Sequence, residues 1–314
     1  MNLKLTKTPV VVLLALICCA LWGSAFPCIK IGYRQFAIAE NDTASQILFA
    51  GIRFFLAGCM VILFCSILYK ELLIPRKFQT LKHAFFLSLF QTILQYIFFY
   101  VGLSKTTGSK AAVIEAANVF LAILVSGFLF KMEKVTSKKM IGCLIGFAGV
   151  IIINLGGGLD ARFSVTGEGF ILLSTAAYAF SSVIIKYYSD KENTVLLSGW
   201  QFLIGGAVMI LIGLACGGHI APSSWHAIAL LIYMAFISAC AYTIWGLLLA
   251  NNPVSKIAVY GFSNPVFGVL FSAILLHETT ALNLNCIAAL ILVCAGIILA
   301  NHESGGTTVH PEKC

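Results

Sequence analysis

Charge is scarce in this chain. Twenty Lys and Arg with twelve Asp and Glu amount to 10% of 314 residues, against about 25% in a soluble domain. With 60% hydrophobic residues and a mean hydropathy of +0.98, this excludes a soluble globular protein. Catalytic signatures are missing too. There is no HExxH, no GxSxG and no pair of aspartates within the apolar runs, so a membrane-embedded enzyme lacks its chemistry. The Gly156-Gly157-Gly158-Leu159-Asp160 segment has neither the lysine nor the hydroxyl of a phosphate loop and reads as a turn. No nucleotide-binding domain is present, which argues against ATP-driven work. None of the eleven cysteines has CxxC spacing, so neither metal nor cofactor is expected. Ten of them lie in or beside apolar runs, where they act as small hydrophobes. Cys314 lacks a prenylation box. The net charge of +8 does not call for nucleic acid, because the basic residues cluster at the ends of apolar runs.

Long apolar runs are abundant. A span needs about 20 residues, and ten candidates emerge: 10–32, 46–69, 83–103, 109–130, 139–155, 167–188, 195–216, 224–250, 255–276 and 282–301. The first has the lysines and apolar core of a secretory signal. It lacks a small-x-small cleavage site and continues through Trp22-Gly23-Ser24-Ala25-Phe26, so it reads as an uncleaved helix. Loops are short, and residues 302–314 form a polar tail expected to be disordered. With the N-terminus in the cytoplasm, fourteen basic residues fall on inner segments and four (Arg34, Lys105, Lys110, Arg162) on outer ones. The positive-inside rule then puts both termini in the cytoplasm.

The chain is internally repeated. Ser109-Lys110 precedes Ser255-Lys256 by 146 residues, and at the same offset Asn118 matches Asn264 and Ser126 matches Ser272. Gly51-Ile52-Arg53-Phe54 aligns with Gly199-Trp200-Gln201-Phe202, Tyr96 with Tyr242, Leu103 with Leu249, and Gly149 with Gly296. Trp22 through Lys30 aligns with Tyr178 through Lys186. Five spans per copy is an odd number, so the copies face opposite ways across the membrane. The expected fold is an all-α integral membrane protein of ten transmembrane helices, as two inverted five-helix repeats (5+5). The repeats are residues 1–155 and 156–301, followed by the tail.

These residues carry a family likeness. Trp22-Gly23-x-x-Phe26 with Lys30, Gly51-x-Arg53-Phe54, Asn264-Pro265-Val266-Phe267, and Glu133 and Glu278 closing spans four and nine resemble the EamA branch of the drug/metabolite transporter superfamily, over roughly residues 8 to 301. The resemblance implies ten helices around a central cavity of alternating access. It also implies secondary transport of small metabolites, often amino acids and often outward. The chain departs from the family pattern twice. Val119 stands where a proline is expected, so span four should be less broken than span nine, and Glu115 stands where a neutral residue is expected.

Charges within a membrane cost about 2.5–3.5 kcal/mol each on insertion scales, which singles out Lys30, Arg53 and Glu115. Arg53 and Glu115 fall at similar depths, roughly 10 Å below the outer surface. Either Arg53, with Lys30, binds an anionic group while Glu115 binds an amine or exchanges a proton, or Arg53 and Glu115 form a structural ion pair while Lys30 snorkels. The second copy has Gln201 and Gly261 at these positions, an inequality that favours a functional role. Further candidate substrate-binding residues are Gln91, Gln95, Tyr96, Tyr242, Trp245 and Asn264, with packing as the plainer alternative for each aromatic. Pro27 and Pro265 are candidate helix breaks or gating points. Gly142-x-x-x-Gly146 and Gly205-Gly206 are assigned to helix packing. The expected partners are a small-molecule substrate and the lipid bilayer, with no nucleic acid, in a monomer or weak homodimer. The expected location is the plasma or inner membrane of a bacterial cell. A structural or sensory membrane protein derived from a transporter is the alternative function, with a membrane-embedded enzyme behind it.

Overall fold

The computed structural model describes residues 5–132, 136–155, 163–252, 257, 260–261, 263–276 and 284–301. Glu133, Glu278, the Ser255-Lys256 start of the second repeat motif, the 156–160 turn and the 302–314 tail lie outside the described residues. Among those described, regular structure is entirely helical. The helices are α1 (Thr8–Gln35), α2 (Thr43–Tyr69), α3 (Phe78–Ser88), α4 (Gln95–Ser104), α5 (Gly108–Glu115), α6 (Asn118–Leu124), α7 (Ser137–Leu155), α8 (Phe170–Ser189), α9 (Thr194–Ala215), α10 (Trp225–Asn251), α11 (Ser263–Leu276) and α12 (Leu284–Asn301). Wider π turns at Leu89–Leu94, Val125–Leu129 and Val165–Gly169 extend α4, α6 and α8.

Seven of the resulting rods are long and apolar enough to cross a membrane: Thr8–Gln35, Thr43–Tyr69, Phe78–Ser104, Lys110–Leu129, Val165–Ser189, Thr194–Ala215 and Trp225–Asn251. Shorter apolar helical stretches lie at Met140–Gly149, Ser263–Leu276 and Ile287–Gly296. Large apolar side chains point outward along these rods, Leu63, Phe64, Ile67, Leu211, Phe236 and Ile291 among them, while Arg53, Gln91, Gln95 and Gln201 are buried. Such an inverted distribution is stable only where hydrocarbon is the solvent. The chain is therefore a multi-pass membrane protein.

Local chemistry sets the helix ends. Asp42 accepts from the Ser45 amide (3.0 Å) at the start of α2. Asn193 accepts from Val195 and Leu196 (2.9 and 3.2 Å) at the start of α9. Each cap satisfies amides that the helix itself leaves open. The fourth span breaks where no proline stands. Ala116 and Ala117 donate to Val113 and Ile114 (3.2 and 3.0 Å), a tightening to i→i+3 bonds that separates α5 from α6. The matching stretch of span nine before Pro265 is only partly within the described residues, so the expectation that span four is the less broken lies outside them. Pro27 lies inside α1, which nonetheless runs as one helix from Thr8 to Gln35.

Helix α2 packs along α9, and α7 along α12. Helix α1 lies against α10 and α11, and α8 lies against α4 and α6. Helix α10 also meets α2, as α3 meets α9. The α2–α9 and α7–α12 seams are close because glycines line them. A Cβ on Gly58 would come within 2.5 Å of the Leu203 amide nitrogen, and one on Gly296 within 2.5 Å of the Gly142 carbonyl oxygen. Without a hydrophobic force between helices in lipid, such backbone approach is what holds them. Gly58→Leu is expected to force α2 from α9 and to lower stability by about 1–3 kcal/mol. Thermal unfolding of the purified protein in detergent would register this, and an unchanged midpoint would show that the crossing tolerates a side chain.

Candidate functional site

The helices leave a small cavity between them, of about 50 Å³. Helix α1 supplies Trp22, Ala25, Phe26 and Ile29, and α2 supplies Arg53. Helix α4 brings Tyr96 and Phe99, and the break between α5 and α6 brings Glu115 and Asn118. Tyr178 comes from α8, Tyr242 and Trp245 from α10, and Gly261 and Asn264 from the start of span nine.

Most of this wall consists of repeat-related residues. Trp22 and Tyr178, Tyr96 and Tyr242, Phe99 and Trp245, Glu115 and Gly261, and Asn118 and Asn264 all line the same space. The aromatic members touch. Trp22 lies 5.1 Å from Tyr242 and 5.1 Å from Trp245 between ring centroids, and 6.4 Å from Tyr178. The Tyr96 and Tyr242 hydroxyls share a hydrogen bond of 2.5 Å, and Gln95 Nε2 donates to the Tyr242 hydroxyl at 3.2 Å.

Arg53 and Glu115 both face the cavity but do not pair. Arg53, 1% exposed, donates from Nε to the Met234 carbonyl (3.0 Å), from Nη1 to the Tyr100 hydroxyl (2.7 Å) and from Nη2 to Ser238 Oγ (3.0 Å). The Phe54 ring centroid is 5.0 Å from its Cζ. The guanidinium thereby fastens α2 to α4 and α10. Glu115 makes no hydrogen bond or ion pair among the described residues; the ion pairs there are Arg76–Glu71, His83–Glu192 and Lys110–Glu168. The ion-pair alternative for Arg53 and Glu115 is therefore absent from this conformation. Equal depth along two helices does not fix which way their side chains turn.

Lys30 neither faces the cavity nor ends in solvent. Its Nζ donates to the Thr106 carbonyl just past α4 (2.6 Å). Thr106 Oγ1 in turn donates to Glu168 (2.8 Å), which also accepts from the Ser164 amide (2.9 Å). Lys186, the repeat counterpart of Lys30, donates to the Leu249 carbonyl in the last turn of α10 (3.1 Å). Both lysines thus tie a helix to the C-terminal end of a neighbour, where carbonyls lack intrahelical donors and the dipole favours a cation.

Of the residues singled out from sequence, Arg53, Glu115, Tyr96, Tyr242, Trp245 and Asn264 come together at the cavity. Gln95 stands behind it, bonded to Tyr242. Gln91 is buried at 3% exposure and is not part of the wall, and neither Pro27 nor Pro265 lines it. Trp22, Phe26, Phe99 and Asn118 were missed as site residues. Applying the repeat offset to Asn264 and Trp245 leads directly to Asn118 and Phe99. Three buried polar atoms in the wall have no partner among the described residues: Trp22 Nε1, Asn118 Oδ1 and Asn264 Oδ1. Buried polar atoms are ordinarily paired, which makes these three the unused hydrogen-bonding capacity of the wall.

The comparisons with known proteins agree with a transport cavity. A protein called "Uncharacterized transporter YvbV" from Bacillus subtilis (strain 168) is 28% identical over 310 residues, 96% of this chain and 94% of its own length. A "Probable amino-acid metabolite efflux pump" from Salmonella typhimurium is 26% identical over 299 residues, 91% of this chain and 93% of its own. One protein of known crystal structure superimposes with a TM-score of 0.66 over 94% of this chain and 97% of its own, at 16% identity, which establishes a shared fold. The EamA-like transporter family matches twice, over residues 9–155 and again over 165–302. The chain accordingly belongs to the EamA-like transporter family and is a membrane transporter, not an enzyme.

Proposed function

We propose that this chain is a secondary transporter that exports a small metabolite, an amino acid or a related compound, by alternating access to the central cavity. Two inverted five-helix repeats, residues 1–155 and 156–301, form its walls, with residues 302–314 as a cytoplasmic tail. It works in the plasma membrane with both termini inside. It acts as a monomer or weak homodimer. The observation that carries this reading is the lining of one cavity by five repeat-related residue pairs.

The helix contacts support the same reading. Under the repeat correspondence, α1 against α10 and α11 maps onto α8 against α4 and the α5–α6 span. The α10–α2 contact maps onto α3–α9, and α2–α9 and α7–α12 map onto themselves. The Lys30 and Lys186 ties correspond in the same way. Such pseudo-symmetry has a consequence for energy. If the halves exchange conformations, the outward and inward states contain nearly the same contacts, so they differ by little and a bound solute can shift between them. The Salmonella relative, described by its name as an amino-acid metabolite efflux pump, supports the substrate class and direction. Glu115 is the one carboxylate in the wall and the place for a coupled proton.

Purified protein in liposomes should catalyse counterflow. Labelled amino acid or amine should enter faster when unlabelled compound is inside, at several times the rate of protein-free vesicles. Absence of trans-stimulation across amino acids, amines, nucleosides and organic acids would defeat the transporter reading. The two wall charges should separate by role. Arg53→Met leaves three acceptors without a donor and should lower stability by about 2–4 kcal/mol. Glu115→Gln removes an unpaired charge and should leave stability unchanged or raise it. Thermal unfolding of both variants checks this, and equal destabilisation would contradict the division.

A further inference from the structure

We propose that the cavity recognises its substrate by an ammonium group, held against Glu115 and the surrounding aromatic rings, and that it has no receptor for a carboxylate. The inference rests on the transport reading and narrows its substrate class to amines with an apolar or aromatic body.

The wall holds one cation and one anion, and the two differ in availability. Each of the three guanidinium nitrogens of Arg53 already donates to a protein oxygen, and the residue is 1% exposed. Three of its five N–H groups are thus committed to the link between α2, α4 and α10, and a substrate carboxylate would have only the two remaining Nη protons of a nearly fully buried group to reach. Glu115 makes no hydrogen bond or ion pair among the described residues yet lines the hollow. Its carboxyl oxygens, without a protein partner among the described residues, are open to a cation, and when ionised they attract a cation and repel an anion. Within a low-dielectric cavity either effect is several times larger than in water.

The rest of the wall fits the same ligand. Trp22, Tyr242 and Trp245 crowd together at 5.1 Å between centroids, with Tyr178 at 6.4 Å from Trp22. Aromatic faces attract ammonium groups and their bodies cover apolar surface. Asn118 Oδ1 and Asn264 Oδ1 are unpartnered acceptors on corresponding positions of the two repeats, available to the N–H groups of an amine. Trp22 Nε1 is an unpartnered donor, which suits a neutral carbonyl or hydroxyl oxygen on the substrate. The complementary ligand therefore has a positive nitrogen, a hydrophobic body and an uncharged acceptor, as in an amino-acid amide or ester.

The test compares phenylalanine, phenylalanine amide, phenethylamine and N-acetylphenylalanine on the full-length protein. Ligand-induced thermal stabilisation gives binding and proteoliposome counterflow gives transport. The amide and the amine are expected to bind about tenfold or more tightly than phenylalanine, a difference of about 1.4 kcal/mol or more, and the N-acetyl acid is expected not to bind. Glu115→Gln should abolish the preference and Glu115→Asp should retain it. Because the wild-type ranking needs no variant, a misfolded Glu115→Gln leaves the test intact. Binding of the N-acetyl acid, tighter binding of phenylalanine than of its amide, or an amine preference that survives Glu115→Gln would overturn the ammonium reading while leaving a transporter. No binding and no flux for any of the four, with none in the wider panel, would overturn both.

Discussion

The fold turns on a cation that hydrocarbon cannot accept. Arg53 is 1% exposed in the second span of a chain whose outer surface is Leu, Ile and Phe. Within lipid its charge would be prohibitive, so it has to be met from inside the protein. Three oxygens from two other helices meet it, namely the Met234 carbonyl and Ser238 hydroxyl of α10 and the Tyr100 hydroxyl of α4. Tyr100 is itself braced, since the Tyr33 hydroxyl donates to its carbonyl (2.9 Å). Three helices are thereby held together by a single side chain, with α1 joined to them through Tyr33, and the cavity is the space they leave.

Near-symmetry and its exceptions divide the labour. Glycine seams at α2–α9 and α7–α12 join corresponding helices of the two repeats through backbone contact. The aromatic and asparagine pairs around the cavity are also matched. The charges are not, because Gln201 and Gly261 stand opposite Arg53 and Glu115. Gln201 is buried and accepts a hydrogen bond from Thr92 Oγ1, while its Nε2 has no partner among the described residues. Gly261 provides no counterpart to the carboxylate at all. A pair of matched scaffolds with one unmatched carboxylate gives the cavity a chemical direction that neither repeat has alone.

Membrane spans were legible because bilayer thickness imposes length and hydrocarbon imposes composition, and both are properties of a linear string. The helices found at Thr43–Tyr69 and Thr194–Ala215 differ from the runs 46–69 and 195–216 only at the ends. The repeat was legible for a similar reason, since Asn118 and Asn264 keep their spacing whatever their surroundings. Azimuth was not legible. Arg53 and Glu115 were expected at one depth, but whether they meet depends on how α2 and the α5–α6 span are rotated, which no periodicity in uniformly apolar helices records. Nor was the break at Ala116–Ala117 visible. Alanine favours helix, and nothing local announces that the chain will tighten there to i→i+3 bonds. The interruption is a tertiary effect, imposed where Glu115 and Asn118 turn into a shared hollow.

The strengths of these contacts indicate which can change during a transport cycle. The α2–α9 seam has a glycine from one helix or the other against its partner's backbone from Leu48 to Leu203. To open it would forfeit many dispersion contacts at once, with no compensation from lipid. The lysine ties are different in kind. Lys30 to Thr106 and Lys186 to Leu249 are charge-assisted hydrogen bonds, each contributing about 1.5–3 kcal/mol, and each lies near a helix end where water or a lipid headgroup can replace the carbonyl. Differences of that size are what binding of a small solute can offset. The glycine seams are therefore the most resistant contacts between the matching helices, and the two lysine ties are the more readily replaced.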